Sequence, residues 1–94
     1  MSDYQKFINK NTALFWSVSP QNREKISDIF LVETILNYGT LETVQELFDL
    51  IGLDKTASIF FDQTHNNERH NYFPEVENFF RLYFKNHVPQ YSER

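Results

Sequence analysis

Within Ile35-Leu36-Asn37-Tyr38-Gly39-Thr40-Leu41 one helix pattern stops and another begins two residues later. Gly39 is one of only two glycines in the chain, and Gly52 marks the next such stop. A glycine just past the last periodic apolar residue reads as a helix C-terminal cap, and a threonine placed like Thr40 reads as the N-cap of the next helix. Joints this short leave little chain for loops. The expected fold is therefore all-α: a compact bundle of four to five short helices, with successive helices packed as hairpins or at corners.

The remaining punctuation agrees with that expectation. Ser2 or Asp3 caps a first short helix that carries Tyr4, Phe7 and Ile8 on one side, and Asn9 to Thr12 break it. Ala13-Leu14-Phe15-Trp16 is an apolar block that plugs the core from a connecting segment. Ser19-Pro20 is a helix entry, and Ser27-Asp28 is a restart within the stretch that runs to Tyr38. In that stretch Ile26, Ile29, Phe30, Glu33 and Leu36 share one register, widened by Val32 and Ile35. Leu41, Val44, Leu47, Phe48 and Ile51 then form an amphipathic stripe opposite Gln45, Glu46 and Asp49. Asp54 caps a further helix with Ala57, Ile59, Phe60 and Phe61, and Asp62 to Asn71 reads as an exposed polar loop. Pro74 starts a last helix with Val76, Phe79, Phe80, Tyr83 and Phe84 inward. One domain spanning 1–94 is expected, with a core over about 13–86 and a frayed tail over 87–94.

Several kinds of chemistry find no support in this pattern. There is no cysteine, so disulfides, thiolate catalysis and cysteine-ligated metals are excluded. His65, Glu68 and His70 lie close together, but the zinc-protease arrangement needs two histidines four apart with a glutamate between them, so a solvated loop is expected there. No serine sits in a glycine-rich elbow, and two glycines cannot build a phosphate-cradling loop. Acids at Asp54, Asp62, Glu75 and Glu77 fall at helix starts or on polar faces, where dipole complementation and solubility explain them. The expectation is a chain with no catalytic residues, no metal and no cofactor.

The formal charge of −4 argues against holding nucleic acid by bulk electrostatics. No apolar run approaches the roughly 20 residues of a membrane-spanning helix, and no signal-peptide pattern opens the chain, so a soluble cytoplasmic protein is expected. A DNA-binding alternative rests on residues 40–63, two short helices with a glycine-containing joint, where Lys55 to Asp62 would be the reading helix. Lys55 is its one phosphate-contacting residue and its second half is apolar, as in a core hairpin. Aromatic residues make up 17% of the chain and include the adjacent pairs Phe15-Trp16, Phe60-Phe61 and Phe79-Phe80. Neighbours on a helix cannot both point straight inward, so either one member of each pair edges the core as a contact surface or the bundle wraps tightly enough to cover both. Self-association through such pairs is a further alternative.

Leu14-Phe15-Trp16-Ser17-Val18, followed by Phe30 to Glu42, resembles a family of very small all-helical prokaryotic proteins. Its members show Leu-Phe-Trp-Asp-Val, then an Ile-Ile-Glu-Arg-Val-Leu-x-Tyr-Gly-Asp-Leu-like stretch. A second glycine, an arginine-containing loop and an Asn-Phe-aromatic helix follow, matched here by Gly52, Arg69 and Asn78-Phe79-Phe80. The likeness covers roughly residues 13–86. Such proteins are often encoded beside nucleotidyltransferase-like toxins of the abortive-infection (AbiEii) type. The resemblance therefore implies a non-enzymatic antitoxin or accessory partner, whose acidity would complement a toxin's nucleic-acid or nucleotide site. Ser17 stands where the family has Asp, and Thr34 where it has Arg. Their joint absence fits the loss of an internal ion pair, since one buried charge left alone is costly. The candidate partner-contact residues are Trp16, Phe60, Arg69 and Tyr72, each with a structural role as the alternative.

Overall fold

The computed structural model describes residues 3–16, 18–66 and 72–91. These form five α-helices with no strand: α1 (Asp3–Lys10), α2 (Asp28–Tyr38), α3 (Leu41–Ile51), α4 (Leu53–Asn66) and α5 (Pro74–His87). Short 3₁₀ turns cover Thr12–Phe15, Pro20–Lys25 and Pro89–Tyr91. The all-α bundle expected from the sequence is the fold found.

The caps set the boundaries. Ser27 Oγ accepts from Phe30 N at 3.2 Å, and Thr40 Oγ1 accepts from Thr43 N at 3.2 Å. Each satisfies one of the otherwise unpaired donors of a first helical turn, worth about 1 kcal/mol. Gly39 and Gly52 end α2 and α3 by donating to Ile35 O and Phe48 O, both at 2.8 Å. Their reasons for being glycine differ. Gly52 has φ +95°, which an L side chain rarely adopts. Gly39 has ordinary extended backbone, but a Cβ there would lie 2.7 Å from the Ile35 carbonyl oxygen. Gly52 also opens α4: its carbonyl accepts both Thr56 N at 3.1 Å and Thr56 Oγ1 at 2.7 Å. The expected cap, Asp54, instead lies inside the first turn of α4 with its side chain exposed.

α4 runs against α2, α3 and α5, and its buried face centres on Phe60. Phe60 is fully buried, with ring centroids of Phe61, Tyr72, Phe80 and Phe84 between 5.2 and 6.5 Å away, mostly edge to face. Such pairs add about 0.5–1.5 kcal/mol beyond the burial of their area. Phe48 joins α3 to this cluster, stacking on Tyr83 at 5.7 Å.

The core extends beyond 13–86 at both ends. Phe7 and Ile8 of α1 are buried, and Tyr4 is half-buried with its hydroxyl donating to Ile26 O at 2.8 Å. Val88 is buried just after α5. The expected frayed tail thus begins with a core residue and continues as the Pro89–Tyr91 turn. The polar stretch after Phe61 is also corrected: Asp62 to Asn66 continue α4. Thr64 Oγ1 bonds back to Phe60 O at 2.9 Å, and the buried Gln63 finds side-chain partners, so hydrogen bonds do there what apolar burial does elsewhere.

Candidate functional site

Five of the seven large apolar side chains exposed among the described residues, Trp16, Tyr38, Leu41, Phe73 and Phe79, lie around the C-terminal end of α2; the other two are Ile29 at the start of α2 and Leu82 on α5. Of the adjacent aromatic pairs Phe15-Trp16, Phe60-Phe61 and Phe79-Phe80, the second is wholly inside. The other two split: Phe15 is buried while Trp16 is 77% exposed, and Phe80 is buried while Phe79 is half out. Leu41, the first residue of α3, is also 77% exposed. Tyr38 and Phe73 are exposed rings that meet edge to face at 5.5 Å. Asn37 fixes that corner by accepting from Phe73 N at 3.1 Å, which ties the start of α5 to the end of α2.

Two depressions flank this corner and share Asn37. One, of about 320 Å³, is an apolar groove between α3 and α5 lined by Leu41, Val44, Val76, Phe79 and Phe80, with Glu75 at its edge. The other, of about 300 Å³, is lined by Leu14, Trp16, Phe30, Glu33, Thr34, Asn37 and Tyr38. Glu33 is oriented from behind. Gln63 Nε2 donates to Glu33 Oε2 at 3.1 Å, and Gln63 Oε1 accepts from Tyr72 Oη at 2.7 Å. Burial, followed by the charge of Glu33, holds the Tyr72 hydroxyl well above the ordinary tyrosine range. It therefore stays protonated as the donor that fixes Gln63.

The four candidate contact residues thus fall in different places. Trp16 is on the surface, at the rim of the second depression. Phe60 and Tyr72 are core residues, which corrects their assignment as contacts: a partner would reach neither without opening the bundle, because Phe60 is the hub of the ring cluster and Tyr72 packs on it at 5.2 Å. Tyr72 reaches the surface indirectly, through Gln63 and Glu33. Arg69 lies outside the described residues, as do Ser17, Glu68 and His70. Thr34 is buried and lines the same depression as Trp16.

Tyr38 and Phe73 are surface residues that the sequence did not single out, whereas Leu41 and Phe79, expected on the inward faces of α3 and α5, are corrected to exposed positions at the edge of the core. Glu33 did carry a signal, since it is a carboxylate inside the otherwise apolar register of Ile26, Ile29, Phe30 and Leu36. The helical pair over residues 40–63 presents Asp54, Lys55, Ser58, Asp62 and His65 outward from α4. Its one lysine pairs with Asp28 Oδ2 at 2.8 Å. His65 and His87 are exposed, and among the described residues no group of three or more His, Cys, Asp or Glu side chains comes together. Nor is any helix there long and apolar enough to cross a membrane. Comparison with protein-family models, with curated proteins and with solved structures found no match.

Proposed function

We propose that this chain is a non-enzymatic protein-interaction domain, acting as an antitoxin-like partner of a nucleotidyltransferase-type toxin. One observation carries the interaction reading. Trp16, Tyr38, Leu41, Phe73 and Phe79 are exposed around one corner, while the core closes without them. Single exposed apolar side chains are ordinary, but four that line two adjoining depressions, with Phe73 packed on Tyr38 beside them, form the kind of patch that marks a contact surface. Trp and Tyr are also the residue types that most often anchor an interface. The choice of a toxin rests on the sequence resemblance, and the charge of −4 suits a partner with a basic nucleotide or nucleic-acid site.

Co-expression with an AbiEii-type nucleotidyltransferase tests this reading. The expected result is one stoichiometric complex in gel filtration. Two independently eluting proteins overturn the toxin assignment. If the chain alone then elutes as a dimer, the same corner serves self-association instead. No observation favours the DNA-binding alternative, because the outward face of α4 carries two aspartates beside its paired lysine.

A further inference from the structure

α3 and α5 each pack on α2 and α4, with the apolar groove between their first turns. Farther along, Phe48 of α3 stacks on Tyr83 of α5 at 5.7 Å, so the two helices meet there and stand apart at their starts. The buried side chains of Leu36, Val44 and Phe80 floor the groove, and Leu41 and Phe79 rise from its two walls, both exposed. The wall supplied by α5 runs from Glu75 to Phe80, about 7.5 Å along the helix axis. Side chains at i and i+4 of a further helix lie about 6 Å apart. The groove, at about 320 Å³ and small for a ligand site, therefore suits two apolar side chains from one turn of a helix laid along it.

Charge at the opening selects among apolar guests. Among the described residues no basic side chain lines the groove, and Glu75 stands at its edge. Glu42 follows Leu41 on the other helix; both carboxylates are exposed, and neither has an ionic partner among the described residues. α3 as a whole carries Glu42, Glu46 and Asp49 and no basic residue. α2 ends beside the groove, at Leu36 and Gly39, with no basic residue in its last turn, so the negative end of its dipole lies at the same opening. Glu42 and Glu75 complement the positive ends of their own helices, which amount to about half a charge each, and the balance at the opening stays negative. A fatty acid or an anionic lipid would be repelled there, and a neutral apolar guest would gain nothing from the charges. We propose that the groove receives a basic amphipathic helix of a protein partner, with two apolar residues four apart on its floor and lysine or arginine beside them against Glu42 and Glu75. This inference rests on the interaction reading above and names what the partner presents.

Two alanine-based helical peptides of about 18 residues test this. Both carry two leucines four residues apart; lysines flank them in one peptide and glutamates in its twin. In a titration followed by backbone amide NMR at low salt, the lysine peptide should bind saturably and shift Gly39, Leu41, Val44, Val76 and Phe79. The glutamate twin should bind at least about tenfold more weakly. Glu42→Lys/Glu75→Lys alters two exposed positions and should reverse that preference with the helical circular dichroism unchanged. Leu41→Ala, also exposed, should weaken the lysine peptide by about fivefold. Equal affinity for the two peptides, an unreversed preference in the double lysine variant, or shifts confined to other surfaces would overturn the assignment. Groove shifts that grow with protein concentration and without peptide would overturn it in favour of a second copy of this chain. A toxin complex that forms although neither peptide binds overturns the helix assignment alone. A lysine peptide that binds as described while the toxin elutes apart supports the groove assignment and removes only the toxin.

Discussion

Phe60, on α4, and Trp16, just after the Thr12–Phe15 turn, are both large aromatic residues of the same small bundle, and they occupy opposite extremes of it. Phe60 has no exposed surface and touches the rings of four other aromatic residues. Trp16 stands 77% in solvent next to a pocket that contains a carboxylate. Size and aromatic character do not separate the two. What separates them is context: Phe60 lies on the inner face of α4, surrounded by α2, α3 and α5, whereas Trp16 follows the buried Phe15 at the end of a short turn and must face the other way. In a chain with 16 aromatic residues (10 Phe, 5 Tyr, 1 Trp), the core uses some for stability and the corner at the end of α2 presents others. The two regions should therefore respond to mutation in opposite ways.

The largest effect is expected at the hub. Phe60→Ala should cost about 3–5 kcal/mol, much of the stability of a domain this size. Thermal unfolding by circular dichroism should show a Tm lower by more than about 12 °C. A change of a few degrees would mean that the ring cluster is not the centre of the core.

A smaller effect is expected along the chain that links core to surface. Tyr72→Phe leaves Gln63 Oε1 without its buried donor and should cost about 1–3 kcal/mol, measurable by urea unfolding. The same hydroxyl, with that of Tyr4, sets an alkaline limit. Burial, with the charge of Asp28 as the second cause, pushes Tyr4 from the ordinary value of 10.0 up to about 12. Tyr72 is raised further in the same direction. A group whose folded pKa is raised gives stability that is complete below its unfolded value and is lost as pH climbs toward the folded one. The contribution of these two hydroxyls should thus be constant below about pH 10 and fall above it. In a Tyr4→Phe/Tyr72→Phe variant that fall should be shallower, and an equally steep fall would contradict the burial of both hydroxyls.

Gly52→Ala should cost about 1–3 kcal/mol by placing a side chain at φ +95°, although nothing crowds the position. Urea midpoints decide this, and an unchanged midpoint would show that the α3–α4 joint can relax. At the bottom of the scale, Trp16→Ala and Leu41→Ala should each change stability by no more than about 0.5 kcal/mol in the same assay.

The sequence made legible what depends on local order. Thr40 and Ser27 cap where their position before an apolar register says they should, and both glycines stand where helices end. The stripe from Leu41 to Ile51 packs inward at Val44, Leu47 and Phe48, as its spacing implies, while its first member, Leu41, stands outside because no helix among the described residues covers the start of α3. Groups that pair across long separations were not legible. Gln63 bonds to Glu33 30 residues earlier and to Tyr72 9 residues later, and no periodicity announces either contact. The polar run that contains Gln63 therefore reads as loop although its first part is helix. Phe7, Ile8 and Val88 fall outside the expected core because each stands near a break in the pattern, and only the packing of α1 and of the residues after α5 shows them covered. For the surface corner, the adjacent pairs posed the right question. Steric neighbours then decided which members turned outward.

The division between a closed core and a presented corner is tested most directly by one double variant, Trp16→Ala/Leu41→Ala, co-expressed with an AbiEii-type nucleotidyltransferase that binds the unaltered chain. The expected result is a Tm within about 8 °C of the unaltered protein and loss of the complex in gel filtration. A complex that survives intact, or a Tm that falls as far as that of Phe60→Ala, would contradict it.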